Sequence, residues 1–147
     1  MIEQTILLVE DNATDEGLTL RSLKKSNILT KVVIARDGPD ALDYVFAQGS
    51  YTGREATEEP QIVLLDLNLP KIGGLDVLKA IRADERTKLL PVVILTSSKE
   101  DRDLLAGYKL GANSYVVKPV DFTQFSDAVR QLGLFWLLIN QKPPKER

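Results

Sequence analysis

The chain has 147 residues, with 19 basic against 21 acidic side chains, a net charge of −2, 44% hydrophobic and 6% aromatic residues. That composition fits one globular domain with a sizeable core and excludes a disordered or fibrous chain. Near-neutral charge lacks the basic face of a nucleic-acid binder, and the absence of cysteine and histidine removes disulfides, thiolate nucleophiles, Ser-His-Asp triads and metals held by Cys or His.

Any chemistry must run on carboxylates, hydroxyls, lysines or a hard cation held by oxygen. The N-terminus, Met1 to Thr5, lacks the basic n-region of a signal peptide. The longest nearly apolar run, Leu132 to Ile139, falls short of the ~20 residues that span a bilayer. A cytoplasmic protein with no membrane contact is expected.

In chain order, a strand over Ile6–Val9 is followed by a helix from about Thr14 to Ser26, and a strand over Val32–Ala35 by a helix from Pro39 to Gln48. A long polar link from Gln48 to Pro60 reads as a surface loop before the strand Ile62–Leu65 and the helix Leu75–Ala83. The strand Val92–Leu95 precedes a helix from Glu100 to Leu110, with Ser98 as its N-cap and Gly111 as its left-handed C-terminal residue. The strand Tyr115–Val117 leads to a last helix, Asp121 to Asn140, which Asp121 caps. Residues 1–140 form the domain, and 141–147, with Pro143 and Pro144, form a tail. The strand runs are continuous rather than alternating, which suits strands buried on both faces. Five such strand–helix units predict an α/β, doubly wound (βα)5 parallel sheet.

In such sheets ligands bind beyond the carboxyl ends of the strands. The residues there are Glu10 and Asp11 after the first run, Asp66 after the third, Thr96 after the fourth and Lys118 after the fifth. Any one of them alone reads as a cap or a solvated turn. Three carboxylates at one rim need counter-charge, which Lys118 and a divalent cation supply. Mg2+ fits best, since it takes oxygen ligands and shares its shell with phosphate. The set forms a phosphoryl site in which Lys118 offsets charge and Thr96 donates a hydrogen bond. With no Gly-rich phosphate loop after the first strand, a nucleotide is not expected, and Asp66 is the best-placed acceptor for an aspartyl-phosphate.

The segments Val9-Glu10-Asp11-Asn12, Leu65-Asp66-Leu67-Asn68-Leu69-Pro70, Gly73-Gly74-Leu75, Leu95-Thr96-Ser97 and Val117-Lys118-Pro119 resemble the receiver domain of two-component response regulators over about residues 4–138. The resemblance implies the flavodoxin-like strand order 2-1-3-4-5. It implies that Asp66 takes a phosphoryl group from a histidine kinase, with Asp11, Asp66 and the Asn68 backbone carbonyl on Mg2+ and Glu10 acting through water. Lys118 would pair with the phosphoryl group, Thr96 and Tyr115 would form the switch, and Pro119 would follow a cis peptide bond. The alternative for Tyr115 is a ring at the sheet edge with its hydroxyl in water. Asn68 and Ser98 would border the path of the hydrolytic water, and neither is ionisable.

No second domain is expected after the last helix, so output must pass through contacts. That helix has too many apolar residues for one buried face, which points to a homodimer through Phe135, Trp136 and Leu138, or else to a helix folded over its own core. The layout resembles regulators paired with phytochrome-type histidine kinases, and relay to a separate phosphotransfer protein is a further possibility. Two rivals stand beside this reading. A haloacid-dehalogenase-like phosphatase needs a second Asp where Asn68 stands, and an unphosphorylated interaction module would lack the Asp, Thr or Lys that are all present.

Overall fold

The five apolar runs become five strands because each is too short for a stable helix and rich in β-branched residues. In the computed structural model, which describes residues 4–25 and 30–144, they are β1 (Gln4–Val9), β2 (Thr30–Ala35), β3 (Ile62–Leu65), β4 (Val92–Thr96) and β5 (Ser114–Val117). All pair in parallel, in the order β2-β1-β3-β4-β5. Helices α1 (Ala13–Lys24), α2 (Gly38–Val45), α3 (Gly74–Ala83), α4 (Asp101–Lys109) and α5 (Phe122–Leu134) alternate with them. Ser26, the expected end of the first helix, lies outside the described residues.

Side chains of the central strands alternate between two cores. Leu7, Val9, Val63, Leu65, Val92 and Ile94 face α2 and α3, meeting Tyr44, Val77, Leu78 and Ile81. Ile6, Leu8, Ile62, Leu64, Val93 and Leu95 face α1 and α5, meeting Leu23, Phe125 and Val129. Each fully buried Leu or Ile contributes roughly 1.5–3 kcal/mol, so the sheet centre supplies most of the cohesion and its carboxyl rim can carry charge. Backbone pairing runs one residue past the strands at that rim: Glu10 N donates to Ala35 O (2.9 Å), Asp66 N to Val9 O (3.1 Å) and Lys118 N to Thr96 O (2.7 Å).

The Asp121 side chain caps α5 by accepting from Gln124 N, and Gly111 has φ +100° after α4, both as expected. The start of α4 differs. Glu100 occupies the N-cap position without a side-chain cap, while Ser98 Oγ accepts from Glu100 N at 3.4 Å and donates to Asp103 Oδ2 at 2.6 Å. The long link is built rather than open. It contains two short 3-10 turns, Gly49–Tyr51 and Ala56–Glu58, and Arg54 donates to the carbonyls of Tyr44 and Val45 at the end of α2.

The last helix is not uniformly α. After Leu134 it widens into a π-helical turn, Phe135–Ile139, in which Asn140 N bonds Phe135 O at 2.7 Å. The buried residues Phe125, Val129, Gly133 and Leu137 recur every four positions, a spacing that drifts about 40° per step in a straight α-helix. The wider turn recovers part of that drift and keeps Leu137 on the core.

Candidate phosphoryl and metal site

Asp66 ends β3, the central strand, and the loop after it turns back tightly onto α3. A Cβ at Gly74 would lie 2.3 Å from Asp66 O and 2.7 Å from Leu67 Cα, so only glycine lets the helix start there. Asp66 is 7% exposed, Glu10 2%, and Thr96 is fully buried. Asp11 and Asn68 are exposed at the mouth.

One ammonium gathers the acids. Lys118 Nζ donates to Glu10 Oε1 at 2.6 Å, Asp15 Oδ2 at 2.9 Å and Asp66 Oδ2 at 3.0 Å. The other Asp66 oxygen, Oδ1, accepts from Asn68 N at 3.2 Å. Burial alone would raise the Asp66 carboxyl, but the Lys118 charge and hydrogen bond outweigh it and hold the group below its ordinary value. Burial pushes Glu10 up to about 7, opposed by Lys118 and assisted by the Asp66 charge. Burial opposes the charge on Lys118 too, yet its bonds to Glu10 and Asp15 keep it above the ordinary lysine value. Lys118 thus favours the anionic form of Asp66, while burial works against the charge on Glu10.

Glu10, Asp11 and Asp66 each place a carboxylate oxygen within 4.8 Å of the others. These oxygens face a single nearby ammonium, an excess of negative charge that suits a hard divalent cation. The donors are all oxygens, as such an ion prefers.

The expected residues thus converge: Glu10, Asp11, Asp66 and Lys118 form the cluster, with Thr96 beside it. Asn68 meets it through its N–H. The sequence reading missed Asp15, which comes from the first turn of α1 and not from a strand end. Its signal was an Asn-x-x-Asp helix start, where Asn12 Oδ1 accepts from Asp15 N at 2.9 Å and aims the Asp side chain back at the rim. The cis bond expected before Pro119 is absent, since no described peptide bond is cis. Trans is the default by about 0.5–1 kcal/mol, and Lys118 reaches all three carboxylates without a departure from it.

Tyr115 faces inward. Its hydroxyl donates to Ser98 O at 3.0 Å, and burial raises its pKa. A Cβ at Gly107 would meet the ring at 3.3 Å, so the tyrosine rests on helix backbone that carries no side chain. Of the residues expected at a dimer surface, Phe135 (45%) and Leu138 (55%) are exposed, whereas Trp136 packs partly on the chain's own core.

A parallel sheet with an anionic aspartate, a buried lysine and a carboxylate cluster at its carboxyl rim defines a protein built to handle phosphate and a cation. The family model for the response regulator receiver domain matches residues 6–130, and the chain belongs to that family. It is a signalling receiver domain of two-component systems. It is 40% identical over 94% of its length to the probable methanogenesis regulatory protein FilR2 of Methanothrix harundinacea, covering 86% of that protein. It is 39% identical over 91% of its length to response regulator Rcp1 of Synechocystis sp., covering 89% of it. The Mn2+-bound structure of Rcp1 superposes with a TM-score of 0.89 at 37% identity, over 96% of this chain and 99% of that one. The phosphorylated cyanobacterial phytochrome response regulator RcpA gives 0.91 at 36% identity, over 97% and 99%.

Proposed function

We propose that Asp66 is the phosphoacceptor of this receiver domain and that its donor is the phosphohistidine of a sensor kinase. The observation that carries this reading is the Asp66 carboxylate itself, kept anionic by Lys118 at 3.0 Å within a cluster of cation-binding oxygens. An Asp66 oxygen attacks phosphorus and forms the P–O bond of an acyl phosphate. The P–N bond breaks, and its electron pair returns to the imidazole nitrogen. Lys118 follows the negative charge from the carboxylate to the phosphoryl oxygens, and the Thr96 hydroxyl turns to donate to one of them.

Asp11, Asp66 and the Asn68 carbonyl would hold Mg2+, with Glu10 acting through water. When bound, the ion supplies the positive charge that lets phosphate approach three carboxylates. Thr96 and Tyr115 read out the change as a switch between two arrangements. Asn68 and Ser98 offer no general base or acid to the hydrolytic water.

The receiver domain spans residues 1–140, with 141–147 as its tail. The likeness to RcpA supports a phytochrome-type kinase as the partner, and the location proposed with it is the cytoplasm. No described helix is long and apolar enough to cross a membrane. The exposed Phe135, Leu138 and Ile139 support a homodimer through the end of the last helix, with Trp136 at its edge. Output passes through that surface or through a phosphotransfer protein.

Intact mass after incubation with Mg2+ and phosphoramidate tests the reading. A single phosphoryl adduct is expected on the wild type and none on Asp66→Asn. Adducts on both proteins, or on neither, would overturn Asp66 as the acceptor.

A further inference from the structure

An ammonium has three N–H donors, and Lys118 spends all three on carboxylates. Two of these, Glu10 and Asp66, belong to the cation cluster with Asp11; Asp15 does not. The chemistry proposed above bears on both of these cluster members. Asp66 loses its charge when the P–O bond forms, and Glu10 shares its charge with a cation. Asp15 takes part in neither change.

The backbone that carries Asp15 is pinned on both sides. Its N–H is held by Asn12 Oδ1 at 2.9 Å, and its carbonyl accepts from Thr19 Oγ1 at 2.8 Å, where Thr19 is fully buried. Its carboxylate, on a side chain 27% exposed, therefore reaches Lys118 from a fixed point on the α1 wall. Lysine is a flexible four-carbon stem with many rotamers, so a fixed partner decides where its ammonium waits.

We infer that Asp15 is a positioning residue for phosphoryl transfer: it anchors Lys118 Nζ beside Asp66 while Asp66 gives up its charge to the P–O bond. The inference rests on Asp66 being the acceptor. It assigns Asp15 no contact with phosphate or metal, only with the lysine that follows the charge.

The test is the rate of phosphoryl uptake from phosphoramidate in Mg2+, followed by intact mass for the wild type, Asp15→Asn, Asp15→Ala, Lys118→Ala and the Asp15→Ala/Lys118→Ala double variant. Asp15→Asn keeps the shape and removes the charge that makes the hydrogen bond strong, so uptake should slow about tenfold. In the Lys118→Ala background, Asp15→Ala should slow uptake less than about twofold, because the group it acts through is gone. Wild-type rates in both single Asp15 variants would overturn the inference, as would an equal loss with and without Lys118. Asp66→Asn run alongside separates the two claims. An adduct on the wild type that Asp66→Asn lacks upholds the acceptor whichever way Asp15 falls, and no adduct on the wild type overturns both.

Discussion

Tyr115 donates its hydroxyl to the backbone carbonyl of Ser98 across 3.0 Å, which ties the last strand of the sheet to the loop that leaves Thr96. Ser98 is a junction. Its N–H donates to Thr96 Oγ1 at 3.4 Å, and its own hydroxyl donates to Asp103 Oδ2 in the first turn of α4 at 2.6 Å. The proposed movement of the Thr96 hydroxyl toward phosphate would therefore pull on one residue that also holds Tyr115 and α4.

Removing the tyrosine hydroxyl should loosen that junction without touching the chemistry. Tyr115→Phe should cost about 1 kcal/mol in urea unfolding and speed amide exchange over residues 97–103. Gly107→Ala should give the same exchange signature, since its Cβ would lie 2.8 Å from Ile94 Cδ1 and 3.3 Å from the Tyr115 ring. Exchange as slow as the wild type in Gly107→Ala would show that the ring does not depend on this seat.

Loss of the ammonium strands its three acids. Lys118→Met should destabilise the cation-free protein by about 3–5 kcal/mol, the range for breaking a buried ion pair from one side. Part of that should return in Mg2+, because the proposed ion site is assembled only in the folded state. Urea midpoints with chelator and with Mg2+ measure both effects. A variant as stable as the wild type in chelator would mean that the carboxylates find charge elsewhere.

The raised carboxyl of Glu10 sets a pH window. Its ordinary value is 4.5 and its folded value about 7, so between these the folded state holds a proton that the unfolded state has lost. Stability therefore falls as pH rises through that window, by up to about 3 kcal/mol. The lowered Asp66 contributes in the opposite sense, but only below its ordinary value of 3.8. Thermal midpoints from pH 5 to pH 8 in chelator should drop for the wild type and change less for Glu10→Gln.

The end of the last helix should govern association. Leu138→Glu places a charge on a surface where Phe135 is 45%, Leu138 55% and Ile139 65% exposed. Sedimentation equilibrium should show a dimer for the wild type and a monomer for the variant, with phosphoryl uptake retained. A monomeric wild type at every concentration and phosphorylation state would rule out association through this helix end.

Most of the sheet was legible because continuous runs such as Ile62–Leu65 admit few other environments than a strand covered on both faces. Helix ends were legible to within a few residues where a side chain caps them, as at Asp121. The π-helical turn was not, since Phe135 to Ile139 carries the same residue types as an α-helix and differs only in which carbonyl Asn140 finds. In the site, reading the residue after each strand located Glu10, Asp66, Thr96 and Lys118. It could not find Asp15, which enters from a helix, or the place of Tyr115 beneath Gly107, which exists only when β5 and α4 pack. The expected cis bond at Pro119 came from a likeness rather than from the residues, and the backbone did not require it.

The alternation of the strands, carried one residue past their ends by the rim hydrogen bonds, divides the site by parity. Glu10, Asp66 and Lys118 continue the series of Ile6 and Leu8, Ile62 and Leu64, and Val116, which line the α1 and α5 side. Thr96 continues Val92 and Ile94, and Tyr115 packs with them on the opposite side. The lysine and its acids on one side and the Tyr115 ring on the other thus set out from opposite faces of the sheet, while Thr96 meets Asp66 at the rim, and the odd spacing between Tyr115 and Lys118 enforces the separation. A single residue added or removed between those two would turn one of them to the wrong face, so the length of that interval is as much a part of the device as the residues at its ends.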